Sequence, residues 1–320
     1  LLFLAHRVPY PPNKGDKIRS FHLLKFLAER YRVHLGCFVD APEDYEAAET
    51  LNTWVADLCR VRIDPRRRRI TALTRSLLGG GSISRHYYAD AAMQRFVDRK
   101  REEGVRRAVA FSSPMCQFLE PHRGEFERRI ADFVDVDSVK WAQYADSKPW
   151  PVAPIYRLEH RRLAADEACW SDESDATLFV SEEEATLFRE GHPNARAPVH
   201  AVGNGVDLEF FDPAIEFASP FGDVGPNVVF VGAMDYWANI DAVLWFADEV
   251  WPGVRAQVPG ARFFVVGMRP AAEVRRLESM EGIHVTGAVD DVRPYVAYAD
   301  CVVAPLRIAR GVQNKVLEAL

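Results

Sequence analysis

Short apolar runs, each followed by an amphipathic stretch, recur along almost the whole chain, and this alternation limits the fold more than any other feature. The runs fall at residues 1–5, 33–39, 108–111, 130–134, 177–180 and 199–202, and again at 228–231, 262–266, 284–285 and 301–304. Helical periodicity fills the intervals, as in residues 17–30, 89–103, 156–170 and 238–257. Strands apolar on both faces and alternating with helices belong to parallel sheets covered on both sides. The expected class is α/β, with doubly wound, Rossmann-like sheets.

The two sets of runs part at residues 215–227, IEFASPFGDVGPN, where two Pro and two Gly interrupt any helical period. This predicts a first domain over 1–214, a linker over 215–227 and a second domain over 228–320. Such sheets hold ligands outside the carboxyl ends of their strands. Two in tandem are therefore expected to face each other across a shared cleft.

With 48% hydrophobic and 27% charged residues, the composition excludes disorder, collagen and coiled coil. No apolar run approaches the roughly 18 residues that cross a bilayer. Residues 1–5 run directly into His6-Arg7 and a Pro-rich loop, unlike a signal peptide. The chain opens on Leu1 and stops at Glu318-Ala319-Leu320 within a helical pattern, so it reads as a fragment with an incomplete second domain. Its five cysteines, Cys37, Cys59, Cys116, Cys169 and Cys301, form no C-x-x-C pair and mostly lie among apolar neighbours. That usage fits free, buried thiols in a cytoplasmic protein rather than disulfides or a metal site. Charge is uneven: residues 1–130 hold 24 Lys+Arg against 16 Asp+Glu, and residues 131–320 hold 16 against 30. A basic first half suggests an anionic partner there.

The loop after the first run carries Lys14, Gly15 and Lys17, with Arg19 in the helix that follows. Gly15 at a strand-to-helix turn permits close approach of backbone to a ligand, and the helix start favours an anion. A surface turn with solvated lysines is the alternative. In the second domain the runs lead to Gly232 and on to Asn239, to Gly267, and through Arg310, Gly311 and Val312 to Lys315 and Glu318. Three strand–glycine–helix joints at one sheet edge point to a nucleotide site, although neither a Walker A motif nor G-x-G-x-x-G is present. After run 130–134 stand Asp135 and Asp137. A carboxylate at the end of a strand is able to accept hydrogen bonds from a ligand's hydroxyl groups, and Asp137 reads first as a helix N-cap. His6, beside the first loop, is a further candidate for ligand contact.

In their order these residues resemble the retaining glycosyltransferases of family four, which have the GT-B architecture. The resemblance rests on Val180-Ser181-Glu182-Glu183-Glu184-Ala185, Gly203-Asn204-Gly205-Val206-Asp207 and Phe211-Asp212-Pro213. Phe230-Val231-Gly232, Val266-Gly267, Thr286-Gly287, Pro305-Leu306 and residues 315–319 continue it. More narrowly, PYPPNKGDKIRS (9–20), DFVDVDSVKW (132–141) and GVQNKVLEA (311–319) resemble the sugar transferases encoded with bacterial exopolysaccharide and exosortase (PEP-CTERM) systems.

The resemblance implies transfer of a sugar from a nucleotide-diphosphate donor, with retention and without metal or other cofactor. The second domain would take the donor through Gly232, Asn239, Gly267, Gly311, Val312 and Glu318, with Gly15 reaching in from the first. His6, Lys14, Lys17, Arg19 and Asp137 would lie on the acceptor side, with Asp135, Arg310 and Lys315 at the chemistry. Relatives carry Arg after the first donor-domain Gly, Lys about six residues on, and an E-x7-E pair; here the positions read Ala233, Asn239 and Arg310, with Glu318 kept. Arg310 and Lys315, joined by Lys14, are expected to supply the missing cations.

Residues 60–75, RVRIDPRRRRITALTR, put Arg66, Arg67, Arg68 and Arg69 next to an apolar stretch. That suits an anionic membrane surface, at the inner face of the cell membrane, or a polyprenyl-diphosphate-linked acceptor. A solvated turn is the alternative; nucleic acid is not expected, because no aromatics interleave with the arginines. A sugar-nucleotide epimerase and a degenerate nucleotide-sugar binder are the competing functions.

Overall fold

The computed structural model describes residues 1–12, 15–146, 149–222, 225–307 and 313–320. The chain divides into two compact units, Leu1–Gly203 and Asn204–Leu320, each with its own parallel sheet.

The first unit contains β1 (Leu2–Ala5), β2 (His34–Val39), β3 (Asp57–Arg62), β4 (Arg107–Phe111), β5 (Arg128–Val134), β6 (Ala176–Phe179) and β7 (Val199–Ala201). They lie in the order β3-β2-β1-β4-β5-β6-β7, every neighbour parallel. Alternate residues of β1 serve opposite faces. Leu2 and Leu4 join Met93, Phe96 and Val97 on one side, while Phe3 and Ala5 join Phe21, Leu24 and Leu27 on the other. Burying each large side chain contributes roughly 1.5–3 kcal/mol, so four residues tie two helical layers to one sheet. β3 has no counterpart among the apolar runs. It is an edge strand paired only with β2, and Asp57 at its start with Arg60 and Arg62 on one face hide it within a charged stretch.

The helix after β3, Pro65–Gly79, begins at Asp64, whose carboxylate accepts from the Arg66 and Arg67 amides at 2.9 and 3.2 Å, with Pro65 in the first turn. The arginine run is therefore the start of a helix, not a turn.

The second unit contains β8 (Asn227–Val231), β9 (Arg262–Val266), β10 (Ile283–Gly287) and β11 (Cys301–Val302), in the order β10-β9-β8-β11. Phe230 points into a cluster with Ala242, Val243, Phe246 and Trp251, and Val229 and Val231 pack on Phe221 and Phe264 opposite.

The units part at Gly203/Asn204, ahead of the Pro/Gly-rich stretch expected as linker. The reason is aromatic fastening of that stretch, and of Phe210 ahead of it, to the second unit. Phe221 lies 4.6 Å from Phe264, the Arg293 guanidinium stands 3.9 Å over Phe210, and Tyr298 donates to the Phe217 carbonyl. All five cysteines are free; Cys37 and Cys116 are buried, Cys59 is partly buried, and Cys169 and Cys301 are exposed, so the burial expected for most of them holds fully for two. Among the described residues no helix is long and apolar enough to cross a membrane.

Candidate functional site

In doubly wound sheets the crevice for a ligand opens where the strand order reverses. In the first unit this point lies between β1 and β4. His6, directly after β1, donates its amide to the Phe111 carbonyl at 2.7 Å, and its ring stacks on Phe111 at 5.7 Å. The His6 Nε2 lies 3.5 Å from Asp16, and its buried Nδ1 has no hydrogen-bond partner. Arg7 forks between Asp16 at 2.7 Å and Asp40 at 3.0 Å. Burial alone would raise the Asp16 carboxyl, but His6 and Arg7 outweigh it and hold it well below the usual carboxylate range.

At the end of β5, Lys140 reaches Asp135 at 2.7 Å and Asp137 at 3.0 Å. Burial would discharge that ammonium, yet the two carboxylates prevail and keep it charged. Asp137 is not the N-cap. The Val136 amide donates to Glu184 at 2.8 Å and the Ser138 amide to Glu167 at 3.2 Å, so neighbouring helices cap the helix Asp137–Asp146. Glu167 is fully buried, and its carboxyl is pushed up to about 8 by burial and by the charge of Asp137.

Lys17 and Arg19, expected as acceptor-side cations, are engaged elsewhere. Lys17 is buried and bonded to Asp44 at 2.7 Å. Arg19 meets the buried Asp132 at 2.9 Å and donates to the Val202 carbonyl at 2.8 Å. Burial raises the Asp132 carboxyl and Arg19 offsets this only in part. Both cations tie the helix Gly15–Ala28 to its surroundings, leaving Gly15 as its exposed first residue. Lys14 lies outside the described residues.

In the second unit the strand order reverses between β8 and β11. The Gly232 amide donates to the Val266 carbonyl at 3.0 Å and the Gly267 amide to the Gly287 carbonyl at 3.2 Å. These amides bond between strand ends and do not face a ligand, so the glycines act through their missing side chains. A Cβ on Gly267 would lie 1.7 Å from the Gly232 carbonyl oxygen. A Cβ on Gly232 would lie 2.7 Å from the Asn239 Nδ2 and 3.2 Å from the Lys315 Nζ. Asn239 and Lys315 are thus drawn close over the end of β8. The Lys315 ammonium donates to the Asn239 Oδ1 at 2.8 Å and sits 4.0 Å over the Phe230 ring. Burial lowers it to about 8, opposed by Glu318, whose own carboxyl burial raises. Ahead of Lys315, the Asn314 Oδ1 accepts from Asn204 at 3.0 Å, while the buried Asn314 Nδ2 has no partner. Arg310, Gly311 and Val312 lie outside the described residues.

Gly232, Asn239, Gly267, Lys315 and Glu318 accordingly meet in the second unit, and His6, Asp135 and Asp137 mark the carboxyl edge of the first sheet. Sequence reasoning passed over Arg7, Asp40, Phe230, Asn204 and Asn314 as site residues. Arg7 carried a usable signal, as a cation immediately after a strand; the other four gain their role only from residues far along the chain. Among the described residues no group of three or more His, Cys, Asp or Glu is arranged to hold a metal ion.

Residues 225–320 match the family model described as Glycosyl transferases group 1. A search of curated protein sequences found no match. Among solved structures, the chain is similar to WaaG, a glycosyltransferase involved in lipopolysaccharide biosynthesis: 16% identity over 99% of this chain and 78% of that one, TM-score 0.60. The crystal structure of Anabaena Alr3699/HepE in complex with UDP and glucose gives 14% identity, 94% and 72% coverage and a TM-score of 0.58. The E. coli trehalose-6-phosphate structure bound with UDP-2-fluoro glucose gives 11%, 99% and 81%, with 0.58. At these identities the likeness shows the fold: α/β, of the Rossmann-like GT-B type.

Proposed function

We propose that this chain is a glycosyltransferase that moves a sugar, with retention of configuration, from a nucleotide-diphosphate donor to a glycan or polyprenyl-diphosphate-linked acceptor. The observation that carries the reading is the meeting of Gly232, Gly267 and Lys315 at the strand-order reversal of the second sheet, inside the segment that matches the group 1 family. Departure of a nucleoside diphosphate develops negative charge, and a preorganised cation in a partly dry site stabilises it without a metal. Lys315 would fill that role, aided by Arg310, with Glu318 accepting from the ribose. In the first unit, His6 and Asp135 would contact the acceptor. Two of the structural neighbours were solved with UDP and glucose or with UDP-2-fluoro glucose, which makes uridine the first base to test.

The cellular setting proposed is assembly of exopolysaccharide on the inner face of the membrane. Arg66, Arg67 and Arg69 are exposed on the helix Pro65–Gly79, alongside Ile70, Leu77 and Leu78. Arg68 is withdrawn, donating to the Ala89 carbonyl at 2.6 Å and pairing with Asp90. Three arginines at about 1 kcal/mol each give a weak, salt-sensitive attachment. Replacing Arg66, Arg67 and Arg69 with Ser should abolish sedimentation with phosphatidylglycerol vesicles at low salt; equal binding by the variant would end the membrane reading.

Calorimetry with UDP, GDP and their sugars tests the donor site, and transfer assays with proton NMR read the anomeric configuration of the product. Donor conversion without an acceptor would mark an epimerase, and tight binding without turnover a degenerate binder.

A further inference from the structure

The Lys315 ammonium has two neighbours that fix its place, and they come from different elements. Phe230 lies on β8 with its ring held in the core, and Asn239 lies in the helix Trp237–Trp245. The orientation of the Asn239 amide is determined by chemistry. Its Nδ2 donates to the Ala233 carbonyl at 2.9 Å, which can only accept, and its Oδ1 faces an ammonium that can only donate. Asn239 is itself buried. A lysine side chain left to itself samples many rotamers; here one hydrogen bond and one aromatic face select a single placement.

We propose that Asn239 is a positioning residue for Lys315: its side-chain oxygen holds the ammonium over the Gly232 turn, aimed at the diphosphate of a bound nucleotide. The inference rests on the donor-site reading above and adds which group sets the cation's place. Gly232 is part of the device, since a Cβ there would displace the Asn239 amide and crowd the Lys315 ammonium. Among the described residues the charged groups around are few. Glu318 in the same helix favours the ammonium, whereas Asp241 on the helix Trp237–Trp245 is engaged by Arg307 at 3.1 Å and Asp235 by Arg269 at 3.5 Å.

Two measurements on the full chain separate the inference from the reading beneath it. The first is the NMR titration of the Lys315 ε-carbon without ligand, in the wild type, Asn239→Ala and Asn239→Asp. Asn239→Ala removes the acceptor and should lower the midpoint from near 8, whereas Asn239→Asp adds a carboxylate and should raise it by more than one unit. Unchanged midpoints in both variants overturn the inference. The second is UDP and GDP affinity from pH 6 to 9.5. Wild-type affinity should fall as the pH rises through the Lys315 midpoint. Asn239→Ala should bind about tenfold more weakly at pH 6.5, the worth of a hydrogen bond to a charged group, and Lys315→Met should lose the pH limb. A limb that survives unmoved in both Asn239 variants but vanishes in Lys315→Met overturns the positioning role and leaves the donor site standing. Absence of binding by the wild type to either nucleotide overturns both.

Discussion

Replacing Glu167 with Gln should make the protein more stable at pH 8 than the wild type, while leaving it nearly unchanged at pH 5. Glu167 is wholly buried; one carboxyl oxygen accepts from the Ser138 amide at 3.2 Å and the other has no partner. Burial first, and the nearby Asp137 charge second, push its carboxyl from the ordinary 4.5 up to about 8, against hydrogen bonding from Ser138. The folded chain therefore keeps a proton that the unfolded chain releases. Stability from this group is complete below about pH 4.5 and is lost as the pH rises through 8. At about 1.4 kcal/mol per unit, the loss between pH 5 and pH 8 is about 3–4 kcal/mol. Gln has the shape of the protonated acid, keeps the acceptor for Ser138 and cannot ionise. Urea unfolding of both proteins at the two pH values gives a double difference in which the other titrating groups largely cancel. An advantage of the variant equal at pH 5 and pH 8 would refute the argument, because a packing change carries no pH dependence.

Arg19→Ala strands the Asp132 carboxylate in the interior and should cost about 3–5 kcal/mol in urea unfolding, most of it recovered by the double change Arg19→Met with Asp132→Leu. A single variant as stable as the wild type would show that the pair does not hold the helix Gly15–Ala28 in place. Gly267→Ala forces its new carbon against the Gly232 carbonyl, so the second unit should lose about 1–3 kcal/mol and shift its thermal transition down; an unchanged transition would show that the two turns part easily.

Ten apolar runs correspond to strands; those buried on both faces, such as residues 2–5, need no partner to announce themselves, while the partly exposed β7, β10 and β11 are marked by the short apolar runs alone. β3 escaped because three of its six residues, Asp57, Arg60 and Arg62, are charged, which an edge strand tolerates, and the apolar signal is halved. The glycine turns were legible for a similar reason: a strand, a Gly and a helix lie consecutively in the chain. Partnerships were not. Arg19 and Asp132 are 113 residues apart and Lys315 and Asn239 are 76 apart, and local order carries no record of which charges will meet. Lys17 is the instructive case, because its burial was readable. Lys17, Phe21, Leu24 and Leu27 share the buried face of one helix at spacings of three and four, so the period that placed the helix also placed the lysine inward. A cation at a helix start was read by charge, when its phase already assigned it to the core. The same rule applied to residues 65–79 gives the opposite result. There the period buries Ala72 and Ser76 and leaves Arg66, Arg67 and Arg69 outside, so phase assigns these arginines to the surface just as it assigns Lys17 to the core.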